Sequence, residues 1–149
     1  MKELKISAIK EGTVIDHIPA KNVFKVVEIL KLNDVDDIIS IATGLKSKRL
    51  KTKGMIKVGG KFLNKVEVNK IALIAPSATL NIIKDYEVTK KTKVKVPETI
   101  EGLVRCSNPN CITNHEPARS KFHTIKTEPL ELRCHFCERS FHEDEIVLI

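Results

Sequence analysis

Four cysteines, all in the last third of the chain, constrain its fold more than any other feature. Cys106-Ser-Asn-Pro-Asn-Cys111 and Cys134-His-Phe-Cys137 form two close pairs separated by 22 residues. Each short loop can turn its two sulfurs toward one point. Four thiolates so arranged suit a tetrahedral Zn²⁺ with Zn–S bonds of about 2.3 Å and no open position for an activated water. The ion is then structural. The alternative, a pair of disulfides, lacks its usual context, because no signal-peptide pattern or thioredoxin-like βαβ pattern accompanies the pairs. His115 and His135 are alternative ligands beside these loops, but four thiols complete the shell without them. One structural Zn²⁺ on Cys106, Cys111, Cys134 and Cys137 is the expected cofactor.

A metal-held module of about 50 residues leaves room for a second domain. The 149 residues are 42% apolar, with only five Phe and one Tyr as aromatic mass. Charge is divided between the two parts. Residues 1–97 carry 20 Lys and Arg against 10 Asp and Glu, whereas residues 98–149 carry 6 against 9. The positive field therefore belongs to the first part, where it attracts phosphates. No apolar run reaches the ~20 residues needed to span a bilayer. The opening Met-Lys-Glu-Leu-Lys-Ile-Ser alternates and carries charge, unlike a signal or transit peptide. These features predict a soluble, cytoplasmic protein with no membrane partner. The chain has no Gln or Trp and is rich in Lys, Glu and Ile, a bias seen in thermophiles.

Leu4, Ile6 and Ala8 alternate with charged or polar residues, which predicts a strand. Val14 to Ile18 is a second apolar stretch. Pro19 at a first helical turn, followed by Val23, Phe24, Val26, Val27 and Leu30, predicts a helix to about Leu32, closed by Asn33-Asp34. Ile38 to Ala42 and Met55 to Val58 read as strands. Asn64 is placed to cap a second helix that ends before Pro76. Ala78 to Ile83 and Tyr86 to Val96 read as strands around Lys84-Asp85. The order β-α-β-β-α-β, with one strand appended, predicts a ferredoxin-like antiparallel sheet with two helices. The fold class is α+β: an N-terminal domain over 1–97 and a small all-β zinc-binding domain over 98–149. The charged stretch Lys90 to Pro97 leads from one to the other. A domain as small as the second seldom folds on its own core, and a metal ion supplies what is missing.

Asp16-His17 lies between an apolar strand and a helix, a place where loops often carry function. Lys57 and the adjacent Lys90 and Lys91, from two separate strands, together with His17 at a helix start, are candidates to converge on a triphosphate as point charges. The run Lys46, Lys48, Arg49, Lys51, Lys53 reads mainly as a solvated face. No Gly-x-x-x-x-Gly-Lys-Ser/Thr loop, nucleophile elbow or second carboxylate paired with Asp16 is present, so no enzyme activity is expected. A zinc-containing nucleic-acid-binding module is the competing function class. Its weakness is the scarcity of aromatic platforms in the basic half, which offers only Phe24, Phe62 and Tyr86.

Three motifs in series carry a resemblance over nearly the whole chain. They are Gly12-Thr-Val-Ile-Asp-His-Ile-Pro-Ala20, Ala75-Pro-Ser-Ala-Thr-Leu-Asn-Ile-Ile83 with Tyr86-Glu-Val88, and Cys106-x4-Cys111-x22-Cys134-x2-Cys137. Together they resemble the regulatory chain of aspartate carbamoyltransferase; residues 31–53 resemble it least. The resemblance implies an N-terminal allosteric domain that binds CTP as inhibitor and ATP as competing activator. It also implies a zinc domain that docks onto catalytic chains, six regulatory with six catalytic, the regulatory chains paired as dimers, and no nucleic-acid partner.

Carried over by position, the resemblance makes His17 and Lys91 triphosphate contacts, with Lys91 also near the ribose. Asp16 and Lys57 hold the ribose and the pyrimidine edge. Ile9 and Tyr86 read the base through main-chain groups. Ile6, Ala8, Val14, Asn81, Ile83 and Val88 line the pocket, and Lys53 is a further phosphate contact.

Overall fold

The computed structural model describes residues 9–32, 36–48 and 50–149. The expected strand around Leu4, Ile6 and Ala8 and the expected stop at Asn33-Asp34 lie outside these residues, as do the positions of Ile6 and Ala8 in the site. The chain divides between Val94 and Lys95 into two compact units. That point falls inside the charged stretch Lys90 to Pro97.

In the first unit the described elements are β1 (Gly12–Pro19), α1 (Val23–Ile29), β2 (Ile39–Ser47), β3 (Lys51–Gly59), α2 (Lys65–Ile74), β4 (Thr79–Lys84) and β5 (Glu87–Lys93). The sheet order is β2-β3-β1-β4-β5, and every neighbouring pair is antiparallel. The first four strands and two helices thus form the expected split βαβ arrangement, with β5 added at the edge beside β4.

Strand alternation divides the sheet into two faces. Ile15, Ile56 and Val58 are fully buried on one, as are Val23 and Val26 of α1 and Ile71 and Ala72 of α2. Gly54 lies inside β3, where a side chain would have no room: a Cβ there would sit 1.9 Å from Val23 Cγ2. The helix presses directly on the strand at that point. Asn22 is buried between α1 and α2, and its Nδ2 donates to the Ile74 carbonyl at 3.0 Å, satisfying one orphan acceptor at the end of α2.

Local sequence explains where α2 begins and stops. Asn64 Oδ1 accepts from the Glu67 amide at 2.8 Å, and Glu67 Oε1 accepts from the Asn64 amide at 3.2 Å, a reciprocal cap. Pro76 follows the last turn, as expected. The first helix departs from the expectation. Pro19 ends β1 and is followed by a 3₁₀ turn, Ala20–Asn22, so α1 starts only at Val23 and is over by Ile29. Phe24 is not part of the core; it is 67% exposed on the outer side of α1. The last strand is also shorter than the apolar pattern suggested. Asp85 and Tyr86 both have positive φ (51° and 65°) at the tip of a tight hairpin, so β5 starts at Glu87.

The second unit is all-β. Strands β6 (Thr99–Glu101), β8 (Lys121–Thr127), β9 (Leu130–Cys134) and β10 (Ser140–His142) form a sheet of order β10-β9-β8-β6, while β7 (Val104–Arg105) pairs with β11 (Val147–Leu148). Its core is small: Ile100, Val104, Phe122, Leu130, Leu132 and Phe141 are its main buried side chains besides the cysteines. Phe122 and Phe141 meet edge to face, with ring centroids 6.2 Å apart.

Candidate nucleotide site and metal centre

The face of the first sheet that turns away from the helices carries the polar residues singled out above. In β1, Val14 pairs with Lys57 of β3 on one side and Asn81 of β4 on the other, and Asn81 pairs with Lys91 of β5. Lys57, Val14, Asn81 and Lys91 thus lie in one row across four strands, and residues paired in register project to the same face. Two residues along, Asp16 pairs with Thr79, and Thr79 with Lys93. Two residues the other way, Gly12 pairs with Gly59 and Ile83, and Ile83 with Val88. Ile9, Val14 and Ile83 pack together as a small apolar cluster with Met55 against it, giving this face an apolar floor between two lysines.

Asn81 Oδ1 is buried and has no hydrogen-bond partner among the described residues. A buried acceptor without a donor is costly in a folded protein, and here it sits in the middle of the row. A bound molecule with a donor group would satisfy it. Near the Gly59 end of the face, a cavity of about 490 Å³ is lined by residues that include Ile9, Glu11, Gly60 and Tyr86. Tyr86 lies at the hairpin tip, where its amide donates to the Lys10 carbonyl at 3.0 Å. The structure therefore brings Ile9 and Tyr86 to one cavity although they are far apart in sequence.

At the opposite end stands His17. The β1–β3 register slips between Ile15 and Ile18, and His17 takes φ 58° in the bulge. Its amide donates to Asp16 Oδ1 at 2.7 Å, its carbonyl accepts from Ser77 Oγ at 2.8 Å, and its Nδ1 meets Thr79 Oγ1 at 3.0 Å. Ser77 and Thr79 belong to none of the expected site positions. Their signal in the sequence is weak, since a Ser and a Thr after Pro76 read as turn residues.

Lys53 is not an unengaged phosphate contact in this structure. Its Nζ lies 2.9 Å from Asp16 Oδ1 and 3.1 Å from Oδ2, so the two expected site residues neutralise one another. Val88 and Lys91 are exposed on the edge strand β5, where both are accessible to a ligand.

In the second unit the loops around Cys106–Cys111 and Cys134–Cys137 bring four sulfurs within 4.8 Å of one another. Cys106 and Cys137 Sγ are 3.7 Å apart, and Cys111 and Cys134 Sγ 3.8 Å. A tetrahedron of sulfurs around an ion, with bonds of about 2.3 Å, has edges of about 3.8 Å, so the donor set fits such an ion. The same separations are far longer than an S–S bond. The two alternative ligands are engaged elsewhere: His115 Nε2 is 2.7 Å from the Pro109 carbonyl, and His135 Nδ1 is 2.9 Å from His123 Nε2.

The thiols differ in their affinity for protons. Burial pushes the Cys106 thiol up despite the backbone N–H of Asn108. Burial also raises Cys134, against the opposing N–H groups of Cys137 and Phe136. Burial would raise Cys137 as well, but the Arg139 N–H, the Asn108 side chain and the neighbouring sulfurs outweigh it, and its pKa is lowered to about 7. Cys137 is thus the readiest thiolate, and backbone N–H groups aimed at sulfur are the usual outer shell of such a centre.

Comparison with known proteins matches both parts of the chain to one family. Residues 4–95 match the family model described as the allosteric domain of the aspartate carbamoyltransferase regulatory chain, and residues 98–147 match the metal binding domain of the same chain. The chain belongs to the aspartate carbamoyltransferase regulatory chains. A relative so named from Pyrococcus abyssi is 58% identical over 149 residues, covering 99% of this chain and 98% of the relative. One from Pyrococcus furiosus is 54% identical, with the same coverage. The likeness extends to the Parabacteroides distasonis regulatory chain, 46% identical over 147 residues, covering 99% of this chain and 96% of the relative. As a member of this family the chain is a regulatory, non-catalytic one with an allosteric and a metal-binding domain. Among the described residues, no helix is long and apolar enough to cross a membrane.

Proposed function

We propose that the first unit binds CTP as inhibitor and ATP as competing activator, and that the second holds one Zn²⁺ and docks onto the catalytic chain of aspartate carbamoyltransferase. The observation that carries the nucleotide reading is the row Lys57–Val14–Asn81–Lys91, with the His17 ring beside Thr79, which lies two residues from Asn81 on the same face. Cations at both ends of an apolar floor suit a ligand with a flat base and a charged tail. The base lies toward Ile9 and Tyr86, and the phosphates toward His17 and Lys91. Asn81 Oδ1 accepts a hydrogen bond from the ligand. Asp16 and Lys57 hold the ribose and the pyrimidine edge. Lys53 reaches a phosphate only by giving up Asp16, so nucleotide binding exchanges one ion pair for another. Val14, Ile83 and Val88 make the apolar lining.

Zn²⁺ held by Cys106, Cys111, Cys134 and Cys137 supplies fixed geometry and no chemistry of its own. The edge lengths of the sulfur cluster and the lowered pKa of Cys137 support it. The thiolates clamp the two loops to a core too small to hold them unaided. Ile112 and Phe136 are exposed beside the cysteines and give this unit an apolar surface for a catalytic chain.

A nucleotide controls a distant active site only by binding two states of the assembly unequally, typically by about 1–3 kcal/mol. CTP as end product favours the less active state and so limits pyrimidine nucleotide synthesis in the cytoplasm. The assembly has six regulatory and six catalytic chains, with regulatory chains paired as dimers. Light scattering on a mixture of the zinc-loaded chain with catalytic trimers tests the partnership. One stoichiometric particle of the combined mass is expected, and two unshifted peaks would refute it.

A further inference from the structure

The bulge at His17 is held in an unusual way. Every other residue of β1 has a register partner on β3, β4 or both, whereas His17 has none on either side. Its backbone groups are therefore met by side chains, the amide by Asp16 and the carbonyl by Ser77. A non-glycine residue at φ 58° is strained, and such strain persists only where the surroundings impose it. The Ser77 hydroxyl is well fixed for that task. Ser77 is 7% exposed, it follows the end of α2 between the fully buried Ala75 and Ala78, and the Ala78 amide closes the turn on the Ala75 carbonyl at 3.0 Å.

We propose that Ser77 is a positioning residue for the phosphates of the nucleotide, its hydroxyl pinning the bulge that turns the His17 imidazole toward the anion. This rests on the nucleotide reading given above. The ring's Nδ1 is already taken by Thr79 Oγ1, a hydroxyl that can donate to a neutral ring or accept from a charged one. Nε2 has no partner among the described residues and can carry its proton in both states, which makes it a donor for a phosphate oxygen. Without Ser77 the His17 carbonyl loses its donor, the bulge is freed to relax toward a regular strand, and the imidazole leaves its place beside Thr79.

The test is a set of four zinc-loaded full chains: wild type, Ser77→Ala, His17→Ala and the double variant. Each is titrated with CTP by calorimetry, and with cytidine, which has no phosphate, by amide NMR shifts. Ser77→Ala is expected to weaken CTP about 3- to 10-fold, the loss of one hydrogen bond, while cytidine affinity holds within about twofold. In the His17→Ala background Ser77→Ala should cost nothing further, because both act through one contact. Ser77→Thr, which keeps the hydroxyl, should retain CTP affinity. Equal losses for CTP and cytidine, additive losses in the double variant, loss of CTP affinity in Ser77→Thr or unchanged CTP affinity in Ser77→Ala would each overturn the proposal. A wild-type chain that binds neither CTP nor ATP would instead remove the nucleotide reading, and the proposal with it.

Discussion

Replacing Lys91 with alanine separates the site from the scaffold. Lys91 is exposed on the edge strand β5, so its loss should leave the sheet intact, with stability changed by no more than about 0.5 kcal/mol. Its place in the row is opposite Asn81, which is opposite Val14. A charged hydrogen bond to a phosphate contributes about 1.5–3 kcal/mol, which corresponds to a loss of CTP affinity of about 10- to 150-fold. Lys57 stands three strands away and cannot replace it. Calorimetric titration of CTP into the wild-type and Lys91→Ala chains measures the loss, and thermal melting of both checks the scaffold. Assembly with the catalytic chain should survive the substitution. An unchanged CTP affinity in a normally folded variant would show that the phosphates lie elsewhere and that the row is a solvated face.

Two further outcomes concern the metal. Stripping it with a strong chelator should unfold the second unit and abolish assembly with the catalytic chain. CTP binding in the first unit, which has its own core around Ile15, Ile56 and Ile71, should persist; circular dichroism and calorimetry on the stripped chain give both answers. Metal affinity should also depend steeply on pH. Burial raises the Cys106 and Cys134 thiols above their ordinary 9.0, so both carry protons at neutral pH in the metal-free chain, and Cys137 takes up its proton as pH falls through about 7. Metal binding therefore displaces at least about two protons, and affinity should fall about 100-fold or more between pH 7 and pH 6. Competition with a chromophoric chelator measures the slope, and a tenfold fall or less would contradict it.

What the sequence made legible follows from how local each signal is. The cysteine spacing, the Asn64–Glu67 cap and the stop at Pro76 act over a few residues, and each appears where the residues placed it. The split sheet followed from the order of apolar stretches. The His17 bulge was not legible, because a single-residue slip leaves Val14 to Ile18 looking like an ordinary strand. The Asp16–Lys53 pair was hidden for a different reason: its partners are 37 residues apart and meet only after β1 and β3 pair. Phe24 misled because helical spacing assigns a residue to a face only when the helix has a regular start, and here a 3₁₀ turn precedes α1. Gly54 lies just outside the expected strand Met55 to Val58 and is in fact inside β3, at the point where a helix touches the strand.

The measurement that bears most directly on the regulatory account is the rate of catalytic trimers at subsaturating aspartate, alone and with the zinc-loaded chain, with and without CTP. The account predicts that CTP leaves the trimers alone unaffected and lowers the rate only when this chain is present. A mixed particle of the right mass whose rate is unmoved by CTP and by ATP would contradict it.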